Sequence, residues 1–163
     1  MKSKYLLSLD GGGVREIATV IFLAKLEKEL GKPLYEQFDL FVGSSAGAIT
    51  AMAISVAKMR GDGLLKLWSE KNLDRILEAS LWDSKLGLMQ TNPKYDGRGK
   101  RRVLKEYFGD LKLGEACKKV AVMSYDIEQR KPLLLTSYKD ADISLVDAGN
   151  ATSAAPIYYP TAK

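Results

Sequence analysis

The chain has 163 residues, 46% of them apolar and 28% charged, enough for one buried core and too few for a second full domain. Lys plus Arg number 25 against 20 Asp plus Glu, and this net charge of +5 tolerates anionic surfaces but falls short of a nucleic-acid-binding composition. Histidine is absent and Cys117 is the single cysteine, so this chain excludes Ser-His-Asp triads, Cys-His dyads, imidazole-ligated metals and internal disulfides.

Tyr5 to Leu9 is a short, mostly apolar run that stops at Asp10, too short for a signal-peptide core; it predicts a buried strand entering the loop Asp10-Gly11-Gly12-Gly13. From Glu16 to Leu30, the residues Ile17, Val20, Ile21, Leu23, Ala24 and Leu26 recur at helical spacing, and Gly31 and Pro33 end the helix. Asp39 to Val42 predicts a second strand, followed by Gly43-Ser44-Ser45-Ala46-Gly47 and a helix from about Ala46 to Met59. Strand, helix, strand, helix in this order is a βαβ unit, which calls for a parallel sheet in an α/β layer structure. Leu40 to Ala57 carries no charge and approaches membrane-spanning length, but its Gly, Ser, Thr and many Ala suit a strand, a tight turn and a buried helix better.

Further on, Leu64 to Glu78 predicts a helix and Ala79 to Gly99 a loop-rich excursion, in which Leu81, Trp82, Leu86, Leu88 and Met89 suggest either an apolar lid or ordinary core. Lys100 to Phe108 reads as a helix closed by Gly109, and Lys119 to Asp126 with Pro132 to Ser137 reads as a strand pair. Asp142 is placed to N-cap a helix from Ile143 to about Ala154, stopped by Pro156. Lys94, Arg98, Lys100, Arg101, Arg102 and Lys105 form a dense basic cluster, read as a solvated helix face ahead of an anionic-lipid patch. Cys117 precedes two lysines but has no partner base, so an idle thiol is expected.

Two motifs carry chemistry. Gly43-Ser44-Ser45-Ala46-Gly47 fits G-x-S-x-G, in which a serine sits on a strained strand-to-helix turn and the glycines, here Gly43 and Gly47, give clearance. Ser45 then lies at a helix N-terminus, where unpaired amides and the dipole favour negative charge. In Asp10-Gly11-Gly12-Gly13-Val14-Arg15, successive amides are free to point at one spot and hold an oxyanion. A P-loop lacks its Gly-Lys-Ser/Thr, and Glu16 replaces the last glycine of a dinucleotide fingerprint, which leaves nucleotide binding as a weak third reading. Both motifs follow strands of one right-handed βαβ unit, so both loops leave the same sheet edge. The amides of Gly12, Gly13 and Ala46 are thereby expected to converge on a carbonyl oxygen near Ser45, a serine acyl-transfer site whose base is a carboxylate.

Asp10-Gly-Gly-Gly-Val-Arg15, Gly43-Ser-Ser-Ala-Gly47 and Ala151-Thr-Ser-Ala-Ala-Pro156 occur in the order seen in patatin-like phospholipases, which the chain resembles over essentially its whole length. Tyr125-Asp-Ile-Glu128 and Lys131-Pro132 are also similar to bacterial members. The resemblance implies a three-layer α/β sandwich with a mostly parallel central sheet, related to cytosolic phospholipase catalytic domains. It implies a lipid acyl hydrolase with a Ser-Asp dyad, acting on phospholipid or other acyl-ester lipid without metal or cofactor. Ser45 matches the nucleophile, Gly11, Gly12, Gly13 and Arg15 the oxyanion loop, and Ala151 to Pro156 a helix end packed close to the site. Peripheral contact with a membrane surface and a cytoplasmic location are expected; nucleic acid is not an expected partner.

Two departures stand out. The family usually has glycine where this chain has Glu16, and a carboxylate beside an oxyanion hole opposes the developing charge unless it turns away. The family's catalytic Asp lies in an Asp-Gly-Gly or Asp-Gly-Ala motif downstream of the Ala151–Pro156 segment, and the seven residues that follow Pro156 contain none. Asp147-Ala148-Gly149 precedes that segment, inside a predicted helix, and is set aside as the base. The expectation is a patatin-like domain over residues 1–163, cut before its catalytic Asp. The alternative is a non-catalytic or truncated patatin-like module that binds acyl lipid or a protein partner.

Overall fold

The computed structural model describes residues 3–77 and 93–162. Four strands, β1 (Leu6–Leu9), β2 (Leu40–Ser44), β3 (Lys119–Asp126) and β4 (Lys131–Thr136), form one sheet in the order β1-β2-β3-β4. The first three are parallel and β4 returns antiparallel to β3, so the α/β class with a mostly parallel sheet holds. Leu9 pairs with Gly43, which places the loops after β1 and β2 side by side at one sheet edge.

One face of the sheet presents Leu9, Phe41, Val120, Val122 and Leu135, all buried. Against it pack α3 (Ser45–Ser55) and α7 (Leu145–Thr152). Helix α3 is buried from Ala46 through Ser55, because its alanines and Gly47 let the strands approach closely. The uncharged run from Leu40 is therefore a strand and a core helix; among the described residues no helix is long and apolar enough to cross a membrane. The opposite sheet face carries Leu6, Met123, Tyr125 and Leu134 with substantial exposure.

Around this frame lie α1 (Glu16–Leu30), α2 (Leu34–Gln37), α4 (Gly61–Leu67), α5 (Glu70–Ile76) and α6 (Arg98–Phe108). Helix α1 spans the predicted residues and ends at Gly31, whose φ of 65° lets its N–H cap the carbonyls of Glu27 and Lys28. Helix α6 ends at Gly109 as expected but begins two residues earlier than predicted, at Arg98.

Further boundaries differ from expectation. Helix α3 stops at Ser55, whose carbonyl is taken by the N–H of Cys117 and whose hydroxyl donates to the Lys118 carbonyl, tying the helix end to the entry of β3. The single helix predicted over 64–78 is two, α4 and α5, broken at Trp68 and Ser69. There the Trp68 indole donates to Thr50 in the interior, and Ser69 turns extended to start α5. The cap of α7 is Ser144, whose Oγ accepts from Asp147 N at 3.0 Å, while Asp142 pairs with Lys112 at the surface. Ser144 wins because it is extended one residue before the first helical turn, the geometry that an N-cap needs.

A buried carboxylate ties the outer helices together. Glu27 on α1 accepts from Leu34 N at 3.2 Å, Gly61 N at 3.1 Å and Arg60 Nε at 2.7 Å. Burial alone raises its pKa, but the bonds from Arg60, Gly61 and Leu34 outweigh that and hold it below the ordinary carboxylate range. Its contribution is present above the ordinary value and is lost as pH falls through the lowered one. Glu27→Ala strands two backbone N–H groups and is expected to cost about 2–4 kcal/mol in urea unfolding at pH 7. The same substitution is expected to cost less once pH falls through that lowered value, where the wild-type carboxyl is itself protonating.

Candidate active site

Ser45 sits where β2 becomes α3, at φ 50°, a left-handed conformation that a serine seldom adopts and that costs about 1–3 kcal/mol. The strained turn anticipated from the G-x-S-x-G pattern is present. Close approaches explain the flanking glycines. A Cβ on Gly47 would lie 2.2 Å from the Leu9 carbonyl oxygen, and one on Gly43 would lie 2.6 Å from Ala48 N. The backbone of Ser45 is held from the other side: its N–H donates to Thr152 Oγ1 at 2.8 Å, and the Thr152 hydroxyl donates to the Met123 carbonyl. One hydroxyl thus joins the serine turn, the end of α7 and β3.

The glycine loop lies directly against this turn. Gly11 N donates to Ser44 Oγ at 3.1 Å, and a Cβ on Gly11 would lie 2.8 Å from Ser45 Cβ, so Gly11 is the contact that seats the loop. Gly12, Gly13, Val14 and Arg15 line the same cavity as Ser45 and Ala46. Ala46 N belongs to the first turn of α3, where amides have no partner within the helix. The cavity has a volume of about 600 Å³, and its walls are mainly apolar: Ile49 from α3, Leu67 and Trp68 at the end of α4, Leu73 and Ile76 from α5, and Val103 and Leu104 from α6. Ala155, Tyr158 and Tyr159 of the C-terminal segment complete it, held by the bonds of Lys94 N to the Ile157 carbonyl and Tyr95 N to the Tyr158 carbonyl.

A family model for patatin-like phospholipase matches residues 7–163. The chain belongs to the patatin-like phospholipase family. It is 30% identical to patatin-like protein 2 of Arabidopsis thaliana over 175 aligned positions, 95% of this chain and 43% of that protein. It is 33% identical to the cGAMP-activated phospholipase of Pseudomonas aeruginosa over 165 positions, 98% of this chain and 49% of that protein. Among solved structures, VipD from Legionella pneumophila superposes with a TM-score of 0.66 at 14% identity, over 98% of this chain and 44% of VipD. The type III effector ExoU superposes with a TM-score of 0.59 at 16% identity, over 94% of this chain and 40% of ExoU. These two likenesses speak for a shared fold. The chain spans less than half the length of each of these relatives.

Glu16, where the resemblance leads to an expected glycine, is turned away from the loop. Glu16 is 1% exposed, and its Oε1 accepts from Thr50 Oγ1 at 2.7 Å; Thr50 in turn accepts from Trp68 Nε1 at 3.0 Å. A buried chain of hydrogen bonds therefore runs from α4 through α3 to α1, behind the cavity wall. Burial pushes the Glu16 carboxyl up to about 7, partly opposed by the Thr50 bond.

The other singled-out residues separate. Asp147, in the first turn of α7, accepts from the Ser144 hydroxyl at 2.6 Å and pairs with Arg101 at 3.0 Å; it lines a neighbouring cavity rather than that of Ser45. Within the basic cluster, Arg98 pairs with Asp96, Arg101 with Asp147 and Lys105 with Asp110, a solvated and compensated face. Lys100 leaves that face and is buried at 4% exposure. Cys117 is exposed and its thiol donates to the Ser55 carbonyl at 3.0 Å. Leu81, Trp82, Leu86, Leu88 and Met89 lie outside the described residues. Sequence reasoning missed Ser44, Thr152 and the inward turn of Lys100. The first two stood inside the quoted motifs as hydroxyl residues and were readable there as hydrogen-bonding groups, whereas nothing in the spacing of the basic residues singles out Lys100.

The Glu16 environment has a measurable consequence. Because its pKa is about 7 when folded against an ordinary 4.5, the folded state binds the proton more tightly, and stability falls as pH rises from 4.5 to 7. Glu16→Gln, which keeps the acceptor for Thr50 and removes the ionisation, is expected to abolish this decline of roughly 2–3 kcal/mol. Urea unfolding of both proteins at pH 5 and pH 8 measures it.

Proposed function

We propose that Ser45 is the nucleophile of a serine acyl hydrolase that cleaves carboxylic esters of membrane lipids, of phospholipase A or lysophospholipase type. The observation that carries this reading is the left-handed turn holding Ser45 at the head of α3, in an apolar cavity shared with Gly12 and Gly13. Ser45 Oγ attacks the acyl carbon, its proton passes to a carboxylate base, and the carbonyl oxygen becomes an oxyanion. Amides of Gly12, Gly13 and Ala46 receive that charge without reorganising, and each such donor contributes about 10²–10³ in turnover. Collapse of the intermediate expels the lipid alcohol, which takes the proton; water then releases the acyl group with the same base.

The base is proposed to be an Asp from outside these 163 residues. In support, among the described residues no acid or base is hydrogen-bonded to Ser45 Oγ, and Asp147 is engaged elsewhere. Contact with a lipid surface is served by Val14, Ile17, Ile21 and Phe22, exposed apolar residues that run from the glycine loop along α1. The absence of a nearby base also favours a second reading, a patatin-like module that binds acyl lipid or a protein partner without hydrolysing it.

A fluorophosphonate probe separates the two. Labelling of the 163-residue chain at Ser45, lost in Ser45→Ala, supports a competent nucleophile, whereas no labelling even in a longer chain that carries the Asp motif supports the binding module. In a longer chain that includes an Asp-Gly-Gly or Asp-Gly-Ala motif, Ser45→Ala is expected to reduce ester hydrolysis by at least about 10³-fold. Full activity of that variant overturns the assignment.

A further inference from the structure

Among the described residues, Lys100 is the one buried cation, and the proposed hydrolysis does not use it. It projects from the first turn of α6 into the partition between two cavities, and it lines the one that contains Ser45. Its ammonium donates to the Ser153 carbonyl at 3.2 Å and lies 3.9 Å from the centroid of the Tyr159 ring. Neither partner carries charge, and among the described residues Lys100 forms no salt bridge. The acids on the far side of the partition are committed, Asp96 to Arg98, Asp142 to Lys112 and Asp147 to Arg101.

The composition of the Ser45 cavity is asymmetric in the same sense. Among the described residues its lining includes two cations, Arg15 and Lys100, and no carboxylate. Between them the walls are aliphatic and aromatic. Burying an ammonium without a counter-ion is costly, and burial indeed pushes Lys100 down to about 8. Such a cost is recovered when an anion enters and pairs with the charge in a low-dielectric site. An apolar cavity with cations and no acids is complementary to an amphiphile with an anionic head and an acyl tail.

We propose that Lys100 is a binding residue that anchors the anionic head group, a phosphate or carboxylate, of an acyl lipid inside the Ser45 cavity. This deepens the hydrolase reading and rests on it for the lipid nature of the ligand. Lys100 selects anionic over neutral lipids, while the apolar walls accept the chain. The Ser153 carbonyl and the Tyr159 ring hold the ammonium in place when no ligand is bound.

The test uses dodecyl phosphate, which has an anionic head and no carboxylic ester, against the neutral dodecylglycerol ether, both below their aggregation limits. The host is the Ser45→Ala chain carrying Trp82→Phe, so that Trp68 in the cavity wall is the only indole reporting on occupancy. The phosphate is expected to bind about tenfold more tightly than the neutral ether, the size of one charge-assisted contact. Lys100→Met, which keeps the stem and removes the charge, is expected to erase that preference, and Lys100→Arg to retain it. Arg15→Gln tests the second cation, and the preference is expected to survive there. Equal affinity for the two amphiphiles overturns the proposal; so does a folded Lys100→Met that keeps the preference, or loss of it in Arg15→Gln alone. If Lys100→Met does not fold, the amphiphile comparison with Lys100→Arg and Arg15→Gln still decides. The probe needs no Ser45 hydroxyl, so failure here leaves the hydrolase reading standing, and failure of Ser45 labelling leaves the anchor standing.

Discussion

The left-handed turn at Ser45 is the constraint on which the rest of the structure depends. To present a side chain at the junction of β2 and α3, the backbone adopts a φ that an L-residue resists, and the surroundings supply the compensation. The helix must start at once, the neighbouring strand must come within van der Waals reach, and no Cβ can intervene. Gly43 and Gly47 meet those demands against Ala48 and Leu9. The first-turn packing of α3 on β1 and β2 follows from them, and so does the seat of the glycine loop on the serine itself.

Two hydroxyls connect this turn to distant parts of the chain. Ser44 Oγ takes the N–H of Gly11, and Thr152 Oγ1 takes the N–H of Ser45 while donating to β3. The small residues around Thr152 permit the approach, and the hydroxyl gives it direction. The end of α7 is thus part of the support of the site, separated from Ser45 by more than a hundred residues of sequence.

Among the described residues, three ionisable groups are buried in or near this framework, and each resolves the cost differently. Glu27 remains charged because two backbone amides and Arg60 replace its water. Glu16 has a single hydroxyl partner, and its carboxyl titrates near neutrality. Lys100 has a carbonyl and an aromatic face, which satisfy an ammonium only in part. Glu27 lies in the outer packing of α1 with α4, away from the cavity lining, whereas the two incompletely compensated groups border the Ser45 cavity, one behind its wall and one in it.

Local sequence determined the elements and the elbow. Helical spacing and Gly31 set the whole of α1, alternation set β3, and two glycines around Ser45 announced a turn that only small neighbours tolerate. The βαβ order placed both chemical loops at one sheet edge, because parallel strands end at the same edge of their sheet. These features depend on interactions between residues close in sequence, or on chirality, and so were legible. Tertiary structure alone decided the break at Trp68, the stop of α3 at Ser55, the inward turn of Glu16 and the burial of Lys100 away from its basic neighbours. Each depends on a partner far along the chain: Thr50 for Trp68 and Glu16, Cys117 and Lys118 for Ser55, Ser153 and Tyr159 for Lys100. A side chain's direction is set by which distant group can replace its water, and that pairing exists only once the chain has folded.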